Sequence, residues 1–471
     1  MAYKNLSELF TAIANSIRGK TGGTEQIVAN DFPAAIDGIT GGEDLTSELT
    51  EQAAIISELS EALDGKAAGG DAKEPVIEPL EITENGTYTA GDGIDGYSPI
   101  TVNVAGSGGD ESPKYIEAQH AFVDLPNATS IKPYAFYRDS VLTDISMPNV
   151  TSIGDNAFNG CANLVLTELP SGLTNLGGNV FNGCDKFAIT SLPESLTEFP
   201  TSAFSYCNGI KQISLHDGIT KCSASMFANC KNLISVSFPS GLKEIANLMF
   251  NGCTSLALTE LPSSVTRISS SAFVNCTSLA LTELPSGVTS IGVSAFEGCT
   301  SLALTEIPSG VEYITNKVFS GCTNLALTKL PSGVVSIGDN AFQNCSSLAL
   351  TELPSGVTEI RKYAFSGCTN LALTELPSGL TSIGATVFYA CTNLALTEIP
   401  SGVTSIGTRA FEGCTSLTSV TFKGKPTTIG SNAFIGCTNL TTINVPWAKN
   451  EVPNAPWGAG NATINYNYTG E

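Results

Sequence analysis

The chain has 471 residues, 44 acidic against 22 basic, for a formal net charge of −22, with 42% hydrophobic and 14% charged residues. Binding to nucleic acid or to an anionic membrane surface needs clustered Lys and Arg, and this balance excludes both. No run of about 18 apolar residues occurs, so no membrane insertion is expected, and the length is too great for one ordinary globular core. The amino terminus, MAYKNLSELFTAIANSIRGKTGG, lacks the basic start, apolar centre and small-residue cleavage site of a signal peptide, so folding in a cytoplasm is expected.

Residues 5–18 place Leu6, Leu9, Phe10, Ile13 and Ile17 on one helical face. A turn and a second short helix follow, with Asp31 as N-cap and Pro33 in the first turn. Residues 1–40 thus read as a small helical attachment unit. Over 43–64, Leu45, Leu49, Gln52, Ile56, Leu59 and Leu63 are spaced 4-3-4-3-4, the seam of a coiled coil. A homo-oligomer held by Leu45, Leu49, Ile56, Leu59 and Leu63 is expected, a trimer being one state the seam allows. One amphipathic helix packed on its own chain is the other reading. Residues 65–79 are a linker, 80–104 a small β module and 105–113 a second linker. In the module, Asn85-Gly86 between strand-like runs is a hairpin signal, and Ile100, Val102 and Val104 alternate as a strand does.

The rest, 114–446, is written in repeats. Phe158, Phe181, Phe204 and every twenty-third residue on to Phe434 are Phe; Phe136 starts the series one residue short of the ruler, with Asp139 where Cys would stand. Thirteen of the 14 Cys, Cys161 through Cys437, keep the same spacing. An apolar column runs Ile153, Leu176, Phe199, Cys222, Ile245, Ile268 and on to Ile429, and a Pro column includes Pro262, Pro285, Pro308, Pro331, Pro354, Pro377 and Pro400. A fixed period of this size predicts a solenoid of fourteen coils over about 124–446, each too small to bury its own apolar side until it is stacked on its neighbours. With coils about 4.8 Å apart the stack is roughly 65 Å long. The thiols are then expected as reduced packing groups, because stacked Cβ vectors run parallel and suit a disulfide poorly. Cys222 falls in the Ile column and fills that core slot. No cofactor or metal is expected, since C-x-x-C pairs and His at ligand spacing are missing. The chain has only two His, His120 and His216, and no nucleophile elbow or phosphate loop, so no enzyme is expected.

One segment varies between copies. In NLISVSFP (232–239), Val236 and Phe238 alternate inward; in SLALTELP (255–262), Thr259 and Leu261 take those slots. Strand alternation then sends two ladders outward. One is Leu258, Leu281, Leu304, Leu327, Leu350, Leu373 and Leu396. The other, a candidate binding stripe for a cationic or amphipathic partner, is Glu260, Glu283, Glu306, Lys329, Glu352, Glu375 and Glu398. Solvation of an exposed sheet, copied by repeat duplication, explains the same ladders without a partner. A local bulge turning Leu258 inward would instead move the Leu ladder into the core. Between the Ile and Phe columns the copies differ most, marking solvent positions; Lys317, Arg361, Lys362, Tyr363, Tyr389 and Arg409 lie there or just after Phe.

The pattern L-x-x-x-x-L-P-S-G-V-T-S-I-G-x-x-A-F-x-G-C-T-S/N resembles the BspA-type leucine-rich repeat family over some two thirds of the chain. The resemblance implies a right-handed, mainly β leucine-rich solenoid and a surface-exposed binding or adhesive role, and it brings no catalytic residues. The N-terminal LSELFTAIANSIRGKTGG stretch, the ITENGTYTAGDGIDGYSPITVNV phrase and the C-terminal VPWAKNEVPNAPWGAGNATINYNYTG resemble modules of phage and prophage tail proteins. Residues 447–471 are expected to cap the last coil, with Trp447 and Trp457 folded over it. On that resemblance the first expectation is a phage tail fibre or receptor-binding protein in the virion tail, contacting other tail proteins and a bacterial surface receptor, glycan or protein. The alternative is a bacterial cell-surface adhesin of the same repeat family.

Overall fold

The computed structural model describes residues 81–82, 86–88, 100–102, 114–115 and 122–470, apart from 220. The helical unit 1–40, the seam residues Leu45, Leu49, Ile56, Leu59 and Leu63, and both linkers lie outside the described residues. In the β module, Gly86–Tyr88 pairs antiparallel with Ile100–Val102, and Glu81–Ile82 pairs antiparallel with Lys114–Tyr115. Asn85-Gly86 therefore joins strands with different partners and is not the turn of one hairpin. The alternating run at Ile100 and Val102 offers residues 86–88 a three-position ladder, which the short run before Asn85 does not.

From 122 onward the chain is a right-handed, mainly β solenoid, and each strand pairs in parallel with its equivalent in a neighbouring coil. The coil 253–275 is representative. Leu256, Leu258 and Leu261 point inward from its first side. Pro262 then opens a tight turn that Val265 N–H closes on the Pro262 carbonyl at 3.0 Å. Arg267–Ile268 forms the short second side, with Ile268 buried between Ile245 and Ile291 in register. These Ile strands assemble into sheets over 130–176, 244–291 and 313–429. The break between the first two falls where Phe199 and Cys222 replace Ile, both of them buried in that slot.

The third side is the corner around Phe273, and it sets the geometry of the whole stack. Consecutive rings of the Phe column lie 5.1–5.9 Å apart with planes within 2–16° of parallel. The separation exceeds the coil spacing because aromatic rings stack offset. Each Phe is flanked two residues before and two after by a backbone in the left-handed region: Ser271 at φ 55 and Asn275 at φ 58 around Phe273, Ser294 at φ 55 and Gly298 at φ 74 around Phe296. Left-handed residues alternating with right-handed ones turn every second N–H the same way. Ser271, Phe273 and Asn275 all donate to the next coil, to the carbonyls of Val293, Ala295 and Glu297 at 2.7–2.9 Å. The intervening N–H groups of Ala272, Val274 and Cys276 close local turns instead. The three donor rows recur from the coil of Phe136 to that of Phe411. For residues other than Gly this conformation costs about 1–2 kcal/mol each, which the three inter-coil bonds offset. Exposed hydroxyls add a further seam: Thr277, Thr300 and Thr323 each donate to the carbonyl of the residue one coil back at 3.1–3.3 Å.

Residues 447–470 close the C-terminal end. Thr463–Asn465 extends the last parallel ladder beyond Thr442–Asn444. Trp447 and Trp457 are buried, edge-on to each other at 6.4 Å, and the Trp457 carbonyl accepts the Phe434 N–H at 2.9 Å.

In such a stack each coil rests on its two neighbours alone. Replacing Phe296 by Ala is expected to cost about 3–5 kcal/mol. Hydrogen exchange should show protection lost at the Phe273 and Phe319 amides and retained at Phe158; uniform loss along the chain would contradict nearest-neighbour coupling.

Candidate functional site

The first side of the coil exists in two versions, and their boundary makes the candidate site. In the coils beginning at Ile210, Leu233, Leu417 and Leu440 the inward positions are the first, fourth and sixth: Leu233, Val236 and Phe238, for example. These coils form regular ladders, such as Gln212–Ser214 on Ser235–Ser237 and Ser419–Phe422 on Thr442–Asn444. In the coils from Leu256 to Leu394 the inward positions are the first, third and sixth, and the ladder is absent until Glu398–Ile399. Leu258, Leu281, Leu304, Leu327, Leu350, Leu373 and Leu396 are all buried, and Thr259 is exposed. The outward Leu ladder expected from strict alternation is therefore corrected, and the alternative of an inward turn at Leu258 holds: these leucines belong to the core.

The reason is a comparison of magnitudes. Strict alternation would bury the Thr259 hydroxyl and expose Leu258. Burying a Leu is worth about 1.5–3 kcal/mol, and an unpaired buried hydroxyl costs about 1–3 kcal/mol. A ladder hydrogen bond exchanged for water is worth only about 0.5–1.5 kcal/mol. The chain keeps its three aliphatic anchors and gives up most of the ladder. Ala280 N–H to the Leu258 carbonyl and Ala303 N–H to that of Leu281, each at 3.1 Å, remain from it.

The change of version moves the pair of consecutive outward residues from Ile234 and Ser235 in the ladder-forming coil to Thr259 and Glu260, directly ahead of Leu261 and Pro262. The column headed by Glu260 walls a groove of about 1510 Å³ that starts at Ser235–Phe238 and crosses the following coils to Glu352, with Thr259 lining its first coil. Of the ladder named from sequence, Glu260, Glu283, Glu306, Lys329 and Glu352 line it together. Glu375 and Glu398 are exposed further along the same column, and Glu398 pairs with Lys423 at 2.9 Å. The floor, which sequence reasoning missed, is Leu261, Leu284, Ile307 and Leu330 with their prolines, and the far wall is Ser263, Ser286, Ser309 and Ser332. The signal for both was present in each copy as L/I-P-S.

Several carboxylates elsewhere on the solenoid have cations beside them. Glu244 faces Arg267 at 3.8 Å, Glu297 faces Lys317 at 3.7 Å, Glu359 faces Arg361 at 3.3 Å and Glu412 faces Arg409 at 3.5 Å. Lys317, Arg361, Lys362 and Arg409 are thus engaged with acids of their own or adjacent coils, Lys362 with Asp339 at 3.8 Å. Among the described residues, no ion pair involves Glu260, Glu283, Glu306 or Glu352. The residues Leu45, Leu49, Ile56, Leu59 and Leu63 lie outside the described residues.

The cysteines have a structural explanation of their own. All 14 are free and buried. Each repeat thiol donates to the carbonyl of the Phe one coil back: Cys276 to Phe250, Cys299 to Phe273 and Cys368 to Phe342, at 2.9–3.0 Å. That carbonyl already accepts its own coil's Cys N–H, so the thiol fills its second lone pair. Burial pushes the thiols up from near 9, to about 12 for Cys161, Cys222 and Cys230 and about 11 for Cys437. Among the described residues, no three His, Cys, Asp or Glu side chains are grouped to hold a metal ion.

The model of the BspA type leucine-rich repeat region (6 copies) matches residues 129–257, 244–372 and 337–455, more than half of the chain. The chain belongs to the BspA type leucine-rich repeat family. No curated protein matches it. Among solved structures, the BspA-type solenoid is similar to a leucine-rich repeat protein from Bacteroides ovatus, at 27% identity and a TM-score of 0.64, covering 78% of this chain and 98% of that one. A leucine rich cell surface protein from Faecalibacterium prausnitzii matches at 26% identity and a TM-score of 0.46 over 77% of this chain and 95% of that one. A leucine-rich repeat protein from Eubacterium ventriosum matches at 21% identity and a TM-score of 0.40, over 69% and 87% of the two chains.

Two measurements check this description. Leu304→Ala should lower stability by about 2–5 kcal/mol in urea, and Glu306→Gln by no more than about 0.5 kcal/mol; the reverse order would restore the outward Leu ladder. The thiols give a pH dependence. Below pH 9 both folded and unfolded chains hold their thiol protons, and the stability is fully present. Above it the unfolded chain releases protons that the folded chain keeps, withdrawing about 1.4 kcal/mol per thiol per pH unit until the folded value is reached. Steep loss of circular dichroism above about pH 10 is expected, with thiol alkylation beginning in the same window. Alkylation of the folded chain at pH 8 would contradict it.

Proposed function

We propose that this chain is a surface-presented adhesive protein whose BspA-type solenoid binds another macromolecule through the groove and performs no covalent chemistry. The supporting observation is the groove itself: a repeat scaffold keeps identical side chains in step across successive coils, so one weak contact is multiplied along the partner. A shallow, multi-coil surface of this kind suits a large partner better than a small substrate, for which enclosed apolar pockets are the rule. The bacterial cell surface is the proposed location, in keeping with membership of the BspA type family.

A virion-tail fibre is the second reading. It is favoured by the likeness of the terminal segments, including residues 445–470, to tail-protein modules, and it would direct the same groove at a bacterial receptor. Homo-oligomerisation through Leu45, Leu49, Ile56, Leu59 and Leu63 fits either setting.

Antibody against residues 122–470 should label intact bacteria that make the protein, and the purified chain should bind target cells saturably. Labelling confined to purified phage particles would favour the tail fibre. Absence of saturable cell binding would overturn the adhesive reading in both forms.

A further inference from the structure

From the groove's composition we infer that its partner is an extended, basic polypeptide segment lying along the solenoid axis. This deepens the proposed function and rests on the groove being the binding surface.

Three features point the same way. The first is direction. Equivalent residues of successive coils line the groove, so it runs parallel to the stack. From Glu260 to Glu352 are four coil steps, roughly 19 Å at the usual strand spacing, which an extended peptide of about six residues spans. The second is charge. Glu260, Glu283, Glu306 and Glu352 stand in one line, with Lys329 lying between Glu306 and Glu352, and among the described residues they form none of the ion pairs that Glu244, Glu297, Glu359 and Glu412 form on the other faces. Like charges in adjacent coils repel, and a cationic partner removes that repulsion. The third is the floor. Leu261, Leu284, Ile307 and Leu330 keep 6–8% of their surface open beside the carboxylates, where Leu256, Leu279, Leu302 and Leu325, at the start of the same side, keep none. An apolar floor under an acidic wall matches Lys and Arg, whose methylene stems pack on hydrocarbon and whose heads reach charge. The long flexible stems also absorb the difference between the peptide's side-chain repeat and that of the coils.

Lys329 supplies specificity. It interrupts the acidic line after Glu306 and before Glu352. A basic side chain of the partner is repelled there, so the favoured segment carries a neutral or acidic residue between two basic stretches.

The test uses the full chain and a fluorescent octapeptide of alternating Lys and Ala, with a Glu-Ala octapeptide as the opposite charge. Anisotropy titration should show saturable binding of the Lys peptide alone. The double variant Glu283→Gln/Glu306→Gln should weaken it about tenfold, and Lys329→Gln should tighten it several-fold. A control of equal net charge, Glu244→Gln/Glu359→Gln on the Ile-strand side, should change it less than about twofold. Equal loss in both double variants would show a nonspecific response to net charge and overturn the inference, as would binding of both peptides alike or tightening by neither Lys329→Gln nor Lys329→Glu. A chain that adheres to cells but fails to bind the Lys peptide overturns the inference and leaves the proposed function standing. A chain that binds the peptide but no cells does the opposite.

Discussion

Everything in the solenoid depends on one requirement, that each coil place the same atoms over the same atoms of the coil beneath. The Phe corner enforces it. Ring lies on ring, three backbone N–H groups reach forward to three carbonyls, and a thiol reaches back to the Phe carbonyl. No residue may be added or lost at this corner without breaking all of these at once. The other two sides tolerate change because they carry fewer simultaneous constraints. Phe199 and Cys222 replace Ile on the second side at the cost of the local strand, and the first side adopts two different inward patterns.

The groove follows from that tolerance. Six residues must cover the distance from the Cys turn to the Pro turn, and three of them must face inward. A regular strand with one two-residue step satisfies this in one way, and the Leu-Ala-Leu-Thr-Glu-Leu segment in another. Where the second arrangement repeats, the outward residue ahead of the Leu-Pro step becomes a wall, and the loss of ladder pairing opens the floor. The carboxylates are thus held in line by core packing, not by any contact among themselves.

How much of this could be read from the letters differs by residue. The Phe, Cys and Ile columns are legible because a stacked position demands one residue type and repeats it at fixed spacing. The outward Glu column is legible for the same reason. The inward turn of Leu258 is legible only as one of two alternatives, because alternation presumes a paired strand, and whether the strand pairs is decided by the energies of Leu against Thr burial. The left-handed row two residues before each Phe is hidden. Asn156, Ser271, Lys317, Tyr363 and Arg409 share a backbone conformation and no side-chain chemistry, so the column looks like free variation. The matching row after Phe, rich in Gly and Asn, carried the better clue. In the β module, Asn85-Gly86 has the composition of a tight hairpin, but partner choice lay with strands further along the chain.

The forward-pointing N–H rows give the stack a polarity with a consequence for self-association. One end of such a corner offers donors and the other acceptors, so two copies laid head to tail would continue each other's hydrogen bonding, a heterologous contact that propagates into filaments. The Trp457 carbonyl occupies the central donor of the final coil, and Gly458 lies against Asn432 and Ile435, where a following copy would have to sit. The tryptophan-bearing segment therefore covers part of the surface, including one of the three donors, that a head-to-tail contact would need.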